Sequence, residues 1–238
     1  MLEKINIENV LFLDIETVPV YPNYSQLPAH YKQFWDNKAK YISRENETPD
    51  EIYQKAGIYA EFGKIICISI GAVKKIEGKY VLRIKSFYGD DEKQVLAGFI
   101  ELLKKSYNRP EHLLCAHNGK EFDFPFLARR MMINNLKLPY LLDIAGKRPW
   151  EIPHLDTLEL WKFGDYKNYT SLDLLATVFN IPSPKGDING KDVARVYWEE
   201  KNLERIVIYC QKDVLTIVQI ILHYKGEPLI SDDSVVIV

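Results

Sequence analysis

Two carboxylates stand at the end of an apolar segment near the N-terminus. The segment VLFLDIE, residues 10–16, indicates a buried strand that ends in Asp14 and Glu16. Side chains two residues apart on a strand point to the same face of a sheet. Their like charges would repel each other and raise the pKa of one of them, whereas a hard cation such as Mg²⁺ or Mn²⁺ would remove that conflict. The pair therefore indicates either a metal site or a strand end at a solvated rim.

A third acid, Asp123, follows a second short apolar run. The residues HLLCA predict a strand over 112–116, and FPFLARRMMINN predicts a helix that has Asp123 in its first turn. An acid there can cap the helix and favour its dipole, but strand ends that feed helices are also where α/β folds place ligands. Asn118, Gly119 and Phe122, in the turn HNGKEFD, surround it with an amide, a flexible backbone and an aromatic ring. Asp123 is therefore a helix cap or a ligand.

Tyr209 and Asp213 form a third candidate group. They are four residues apart in a segment, 202–224, whose apolar spacing predicts a long helix, so they share one face of it. Both lie at the flank of the apolar stripe, where an aspartate is costly unless it is paired or binds a metal. Lys212 or Arg205 could be the partner of Asp213, and a metal ion is the alternative.

Two further polar residues lie close to these positions in the sequence. His117 precedes Asn118 and is either part of a site or a hydrogen-bonded structural histidine. Asp156, in HLDTLEL, either supports the site from behind or caps the next helix.

The order DxE, HNxxxFD and YxxxD resembles the DEDDy branch of the DnaQ-like 3′-5′ exonucleases, which have an RNase H-like fold. The blocks that carry the likeness are those of a stand-alone family related to the proofreading domain of family B DNA polymerases: FLDIETVP, EFGKIICISIG, CAHNGKEFDFPFL, KGDINGKDVARVY and YCQKDVLTI. The resemblance covers about residues 8–224. It implies an α/β fold with a mixed β-sheet flanked by helices, and hydrolysis of phosphodiester bonds from the 3′ end of a nucleic acid.

The resemblance also implies two divalent metal ions, Mg²⁺ or Mn²⁺, and a role for each acid. Asp14 matches the aspartate that bridges the two ions. Glu16 and Asp213 match the ligands of the ion on the nucleophile side. Asp123 matches the acid that supports the ion on the leaving-group side, partly through water. Such a pair of ions suits an in-line displacement in which negative charge builds on the phosphoryl oxygens.

Tyr209 matches the tyrosine that orients the attacking water in this family. A tyrosine with a pKa near 10 is a poor base at neutral pH, so positioning the water is its sensible role. The sister branch has a histidine base where this chain has Ile208, which places the chain in the tyrosine branch. The positions that match contacts to the terminal nucleotide are Ile15, Thr17, Asn118 and Phe122.

Alternating and helical patterns predict the elements that must position these residues. Residues 64–72 and 79–88 predict two strands joined by the turn IEGK, and 91–107 predicts a helix capped by Asp90 or Asp91. A fifth short strand or a helix start is predicted over 154–161, and a helix capped by Thr170 or Ser171 over 170–180. The last two helices are predicted over 190–200 and 202–224.

We expect one exonuclease domain over residues 1–225, an insertion at about 19–57 that lies over the core, and a peripheral tail over 226–238. The insertion is rich in aromatic residues beside lysines, among them Tyr21, Tyr24, Tyr31, Phe34 and Trp35 next to Lys32, Lys38 and Lys40. These rings could stack on bases or pack the insertion onto the domain, and we favour packing.

Net charge, cysteine spacing and hydropathy argue against several classes of protein. The net charge of −2 over 238 residues argues against a non-specific nucleic-acid coat protein, but not against an enzyme that grips a strand end. The three cysteines form no CxxC pair, which favours buried thiols over a zinc site. With no signal-peptide core and no stretch of about 18 uncharged apolar residues, we expect a soluble cytoplasmic protein without a membrane partner.

The expected substrate is the 3′ end of a nucleic acid, with single-stranded DNA ahead of RNA. An exoribonuclease that trims RNA is one alternative. A nucleic-acid-binding or scaffolding module that keeps the fold without turnover is another, and the intact set of five catalytic positions favours the enzyme.

Overall fold

A six-stranded sheet forms the centre of the computed structural model, which describes residues 2–45, 47–165, 167, 169–182 and 187–238. The strand order is β5-β4-β1-β2-β3-β6, and only β2 runs antiparallel to the rest. The strands are β1 (Val10–Pro19), β2 (Gly63–Ile76), β3 (Lys79–Tyr88), β4 (Leu113–Ala116), β5 (Leu155–Asp156) and β6 (Val235–Ile237). This mixed sheet, flanked by helices, confirms the predicted α/β fold and is consistent with an RNase H-like exonuclease.

The hairpin between β2 and β3 forms where the sequence predicts it. Its two turn residues, Glu77 and Gly78, have φ of 49° and 82°. Positive φ at both positions is typical of the two-residue turn that matches the twist of paired strands. The segment IEGK therefore joins the two strands in register, from Ile76 opposite Lys79 to Cys67 opposite Tyr88.

Seven α-helices surround the sheet in the described part of the chain. They are α1 (Ala29–Ile42), α2 (Glu92–Ser106), α3 (Asp123–Ile133), α4 (Thr157–Lys162), α5 (Leu172–Val178), α6 (Val193–Trp198) and α7 (Leu203–Tyr224). The side chains of Asp91 and Ser171 accept hydrogen bonds from the first turns of α2 and α5, which settles both predicted caps. The region 154–161 contains both predicted alternatives, since β5 leads directly into α4.

Alternating side chains of β1 face two different helical layers. Leu11, Leu13 and Ile15 pack into a core with α2 and α3. Val10 and Phe12 point the other way, into a core with α7. Even-numbered positions of β1 therefore face α7, and this parity also directs the two acids of the strand toward that helix.

The long helix α7 is a core element. By length and hydropathy alone it could cross a membrane, but 61% of its most apolar window is buried inside the protein. Gly71 on β2 allows the close contact, because a Cβ there would lie 2.7 Å from Val214 Cγ1. The helix is therefore apolar because it packs against the sheet.

The insertion builds a small core of its own. Trp35 and Tyr53 are fully buried in it, and the Trp35 indole N–H donates to the carbonyl of Pro49 at 2.8 Å. Tyr21 and Tyr24 pack against the same cluster. Packing is thus confirmed for these rings, whereas Phe34 is 64% exposed.

The C-terminal residues, expected to be a peripheral tail, lie at the edge of the sheet. Val235–Ile237 pair as β6 with β3. The Gln219 side chain on α7 donates to the carbonyl of Ile230 at 2.7 Å and accepts from its N–H at 2.9 Å. These contacts fix the path of the tail from α7 to the sheet edge.

Candidate active site

Asp14 and Glu16 stand at the middle of the sheet, on the face of β1 covered by α7. Glu16 is 7% exposed and Asp14 is partly buried. Carboxylate oxygens of both residues and the sulfur of Cys210 all lie within 4.8 Å of one another. Directly after Glu16 the pairing with β2 slips by one residue, so that β2 has an extra residue, Ile66, at this point. Such bulges re-aim side chains beside functional sites.

Tyr209 and Asp213 reach the same place from α7. The Tyr209 hydroxyl, one helical turn away, partly offsets the effect of burial on the pKa of the Asp213 carboxyl. Arg205 is occupied elsewhere, by Asp187 at 2.7 Å and Glu200 at 2.6 Å. No salt bridge between described residues involves Asp213, so neither of the basic side chains suggested by the sequence forms an ion pair with it.

Asp123 joins the group from the start of α3. The N-cap position of this helix is Phe122, not Asp123. Asp123 is buried, and the backbone N–H groups of Asp123 itself and of Ile15 partly offset the effect of burial on the pKa of its carboxyl. The Asp123 carboxylate therefore lies near Ile15 of β1, the residue between Asp14 and Glu16, and the simple cap interpretation does not describe it.

The turn between β4 and α3 has a conformation that few residues allow. Asn118 has φ of 59°, a left-handed value that asparagine tolerates better than most residues. Gly119 has no room for a side chain, because a Cβ would lie 2.4 Å from the Cβ of Ala116. The carbonyl of Asn118 accepts from the N–H of Phe122 at 3.0 Å. The turn thus sets where α3, and with it Asp123, begins.

Asp156 fastens this turn to the next strand. Its Oδ1 accepts from the N–H of Asn118 at 2.9 Å and its Oδ2 from that of Lys120 at 3.0 Å. Oδ1 also accepts from Leu158 and Glu159 and so caps α4. Asp156 therefore fills both roles considered for it, as a support behind the site and as a helix cap.

His117 is held as a structural residue. Its Nδ1 lies 2.8 Å from the Thr157 hydroxyl and its Nε2 lies 2.9 Å from the Thr170 carbonyl. Burial lowers the pKa of the imidazole below its usual value. The neutral ring links β4, α4 and the start of α5.

The clustering of acids strongly perturbs their titration. Burial, together with the neighbouring carboxylates, raises the pKa of Asp14 and of Glu16 well above the usual range. Burial raises the pKa of Asp123 to about 8 and that of Asp213 to about 7. Burial and the adjacent acids also raise the pKa of the Tyr209 hydroxyl well above its usual value. Without a counter-charge, these groups favour their neutral forms.

The donor set fits a hard divalent cation. The Oδ2 atom of Asp14 is buried and has no hydrogen-bond partner among the described residues. A buried carboxylate oxygen in that state is costly unless it is protonated or coordinates a metal. The Cys210 thiol donates to the backbone carbonyl of Asp14 at 3.4 Å, and burial raises its pKa. The available ligands are therefore oxygens, which suit Mg²⁺ or Mn²⁺ better than softer metals.

The residues expected to contact a terminal nucleotide have different environments. Thr17, Asn118 and Phe122 are partly buried, and the Phe122 ring lies 5.4 Å from that of Phe126. The side chain of Ile15 is only 5% exposed and packs in the core, so that residue meets the site through its backbone.

One buried ion pair behind the site has no signal in the sequence. Arg130 on α3 donates to Glu92 on α2 at 2.8 and 2.5 Å, and to the carbonyl of Ala60 at 2.8 Å. Glu92 also accepts from the N–H of Ile65 at 2.7 Å. This network joins α2, α3, β2 and the residues that precede it. Each charge taken alone resembles an ordinary surface residue of an amphipathic helix.

Comparison with known families agrees with this geometry. A family model described as a predicted 3′-5′ exonuclease related to the exonuclease domain of PolB matches residues 58–226, more than two thirds of the chain. The match includes Asp123, Tyr209 and Asp213 and starts beyond the segment that carries Asp14 and Glu16, which the fold brings to them. No curated protein matches the chain. The family match confirms the resemblance found in the motifs: the chain belongs to the predicted 3′-5′ exonucleases related to the exonuclease domain of PolB.

Proposed function

We propose that this protein is a two-metal-ion exonuclease that removes nucleotides from the 3′ end of single-stranded DNA. One observation carries the proposal: acids from β1, α3 and α7 come together in the protein interior. One of them, Asp14, has a buried oxygen without a hydrogen-bond partner among the described residues. A solvated strand rim would leave such carboxylates exposed and free to ionise. Here Glu16 and Asp123 are 7% and 4% exposed, and a bound cation would make this burial compatible with their charge.

Four carboxylates divide the ligand roles in this proposal. Asp14, whose pKa is raised by both Asp213 and Asp123, would contact both ions. Glu16 and Asp213 would complete the site on the side of the attacking water, and Asp123 would support the site on the side of the leaving group. When bound, two divalent cations supply Lewis-acid stabilisation of the charge that builds on the phosphoryl oxygens.

Tyr209 would position the attacking water. Its pKa lies well above the usual value, so the hydroxyl keeps its proton and acts as a donor to Asp213 or to a water. A group that stays protonated cannot serve as the general base at neutral pH. Tyr209 would therefore contribute by orienting the attacking water through a hydrogen bond.

The turn from Asn118 to Phe122 would hold the terminal nucleotide. Asp156 fixes its backbone from behind, so that Asn118 can present an amide and Phe122 an aromatic ring beside Asp123. A single strand suits this site because a buried catalytic centre receives one flexible chain end more readily than a paired duplex. The catalytic elements all lie within 1–225, which we propose as one domain with the insertion at about 19–57.

Digestion of end-labelled oligonucleotides tests the proposal. With Mg²⁺ or Mn²⁺, a 5′-labelled single strand should give a ladder that shortens from the 3′ end, whereas a 3′-labelled strand should release label as mononucleotide at once. EDTA should stop both reactions. Mononucleotide release from the 5′ end, or digestion that is unchanged in EDTA, would contradict it. A parallel set of RNA strands distinguishes the trimming of RNA from that of DNA.

A further inference from the structure

A groove outside the carboxylate cluster separates α1 of the insertion from the C-terminal end of α3. Its volume is about 800 Å³. The apolar residues that line it are Tyr31, Phe34, Tyr41, Phe62 and Ile133. Contiguous apolar surface of this kind on a folded protein usually marks a binding site.

Two of the lining rings have no aromatic partner. Phe34 is 64% exposed and Tyr41 is 88% exposed, and no ring contact between described residues involves either of them. Tyr31, in contrast, makes edge contacts with Tyr21 and Phe62, at centroid distances of 6.5 and 6.2 Å. The groove therefore has one fixed aromatic wall and two rings whose faces are available to a ligand.

One lysine lines the groove and further basic side chains flank it, although the chain as a whole carries a net charge of −2. Lys38 lines the groove and lies over the ring of Tyr59, and Lys40 is one residue before Tyr41. No salt bridge between described residues involves Lys38, Lys40 or Arg129. Glu61 is the acid among the lining residues. Lys38 in the groove and the flanking Lys40 and Arg129 therefore suit a phosphate backbone better than an acidic peptide.

The groove is connected to the carboxylate cluster by a single rigid helix. Asp123 is the first residue of α3 and Ile133 is the last, which places them about 15 Å apart along the helix axis. Arg129 lies on the same face as Ile133, one turn closer to Asp123. The insertion also starts at the end of β1, just beyond the acids of that strand.

We propose that this groove binds the single-stranded segment of the substrate that precedes the 3′ terminus. Bases would stack on Phe34 and Tyr41, and phosphates would pass Arg129, Lys38 and Lys40. At a rise of about 3.4 Å per stacked nucleotide, the groove lies roughly four nucleotides from the terminus. Stacking on aromatic faces is tolerant of sequence, as trimming requires. This inference rests on the proposed exonuclease function.

The test compares wild type with the double variant Phe34→Ala and Tyr41→Ala. The substrates are 5′-labelled oligodeoxythymidylates of about three and about twelve nucleotides, since only the longer strand reaches the groove. In wild type, kcat/KM should be higher for the longer strand. In the double variant, the long-to-short ratio of kcat/KM should fall about ten-fold or more, the loss expected for one or two stacked bases. Ile76→Ala, an exposed apolar residue in the β2–β3 hairpin, should keep the wild-type ratio.

Binding without turnover separates this inference from the proposed function. Fluorescence anisotropy of the labelled twelve-nucleotide strand in EDTA should show about ten-fold weaker binding by the double variant. If wild type cleaves both strands and the variant keeps the ratio and the affinity, the groove serves another ligand, such as an apolar protein segment, and the inference is wrong. If the variant loses affinity while wild type cleaves neither strand, the groove still binds single-stranded DNA and the exonuclease proposal is wrong. A wild type without length dependence or measurable binding would also overturn the inference.

Discussion

Each acid of the candidate site lowers the stability of the fold when it is buried and ionised without a counter-charge. A divalent cation would supply that counter-charge for all of them. Asp14 and Glu16 repel each other and lie in a low-dielectric environment, which raises the pKa of both. Divalent cations reverse this effect, because they favour the ionised carboxylates that burial disfavours. The same residues are thus destabilising without a counter-charge, and a bound cation would make them stabilising.

This reversal predicts an unusual dependence of stability on pH. A carboxyl group whose folded pKa is raised contributes stability that is complete below its unfolded pKa and lost as the pH rises through the folded pKa. With values of about 8 for Asp123 and about 7 for Asp213, the thermal midpoint in EDTA should fall between about pH 5 and pH 8. Added Mn²⁺ should raise the midpoint most at the upper end of that window.

Differential scanning fluorimetry across this pH window measures both effects. The double variant Asp123→Asn and Asp213→Asn provides the control, because it should make the fall of the midpoint with pH less steep in EDTA and weaken the response to Mn²⁺. A midpoint in EDTA that is constant or rises with pH in wild type would contradict the proposed burial of uncompensated acids.

Tyr209 gives a prediction about catalysis alone. Tyr209→Phe should lower kcat roughly ten- to a hundred-fold, the effect of a misplaced reacting group, and leave Mn²⁺ affinity nearly unchanged. Because the hydroxyl stays protonated, the shape of the pH-rate profile below about pH 9 should not change. Steady-state kinetics and a Mn²⁺ titration by calorimetry measure the two quantities, with the exposed Tyr140→Phe as control. Equal loss of kcat and of metal affinity would mean that Tyr209 has a different role.

Local spacing explains which site residues the sequence could predict. Asp14 with Glu16 on a strand, and Tyr209 with Asp213 on a helix, are neighbours by the geometry of a single element. The contact of Cys210 with Asp14 joins residues 196 positions apart. Pairs of that kind depend on how the elements pack, and no local pattern encodes them.

At the scale of elements, the turn before α3 depends on Asp156. Asp156→Ala would leave up to four backbone N–H groups without their acceptor, at a cost of about 3 kcal/mol in the free energy of unfolding. Asp156→Asn keeps the oxygen that can accept most of these bonds and should cost about 1 kcal/mol. Both variants should raise KM, because Asn118 and Phe122 lose their support. Urea denaturation measures the stability, and equal stability of all three proteins would contradict this role.

The ion pair of Glu92 and Arg130 joins α2 to α3. Arg130→Met leaves a buried carboxylate without its partner and should cost about 3–5 kcal/mol. The double variant Arg130→Met and Glu92→Gln should lose less free energy of unfolding than the sum of the losses in the two single variants, by at least about 1 kcal/mol. The neighbouring exposed Arg129→Met is the matched control, with an expected change within about 0.5 kcal/mol. A double-mutant cycle by urea denaturation gives the coupling, and additive effects would show that the pair does not hold the helices together.

Periodicity predicts α2 and β3 well because each has one buried face, whereas β2 and the second half of α7 are buried on nearly all sides and stand out by their continuous apolar residues. The hairpin of β2 and β3, the helices α2 and α7, and both caps lie where their patterns indicate. The region 154–161 was ambiguous because two residues of strand lead straight into a helix, which is too short a run for either period to show.

At the scale of the whole molecule, the sheet order brings the three groups of acids together. β1 lies between β2 and β4, so the strand with Asp14 and Glu16 is next to the strand that feeds Asp123, and α7 covers the same face. The motifs and the family match indicated this arrangement. The insertion could not be predicted in detail, because exposed and buried aromatic residues alternate irregularly through it.

Cleavage by a variant of the central aspartate tests the account most directly. A 5′-labelled single strand is digested with Mn²⁺ by wild type, by Asp14→Ala and by Glu101→Ala, an exposed acid on α2 that serves as the control. If Asp14 is the shared metal ligand that we propose, Asp14→Ala should slow shortening from the 3′ end at least about a hundred-fold, while Glu101→Ala should match wild type. If Asp14→Ala shortened the strand as fast as wild type, the carboxylate cluster would not be the catalytic centre.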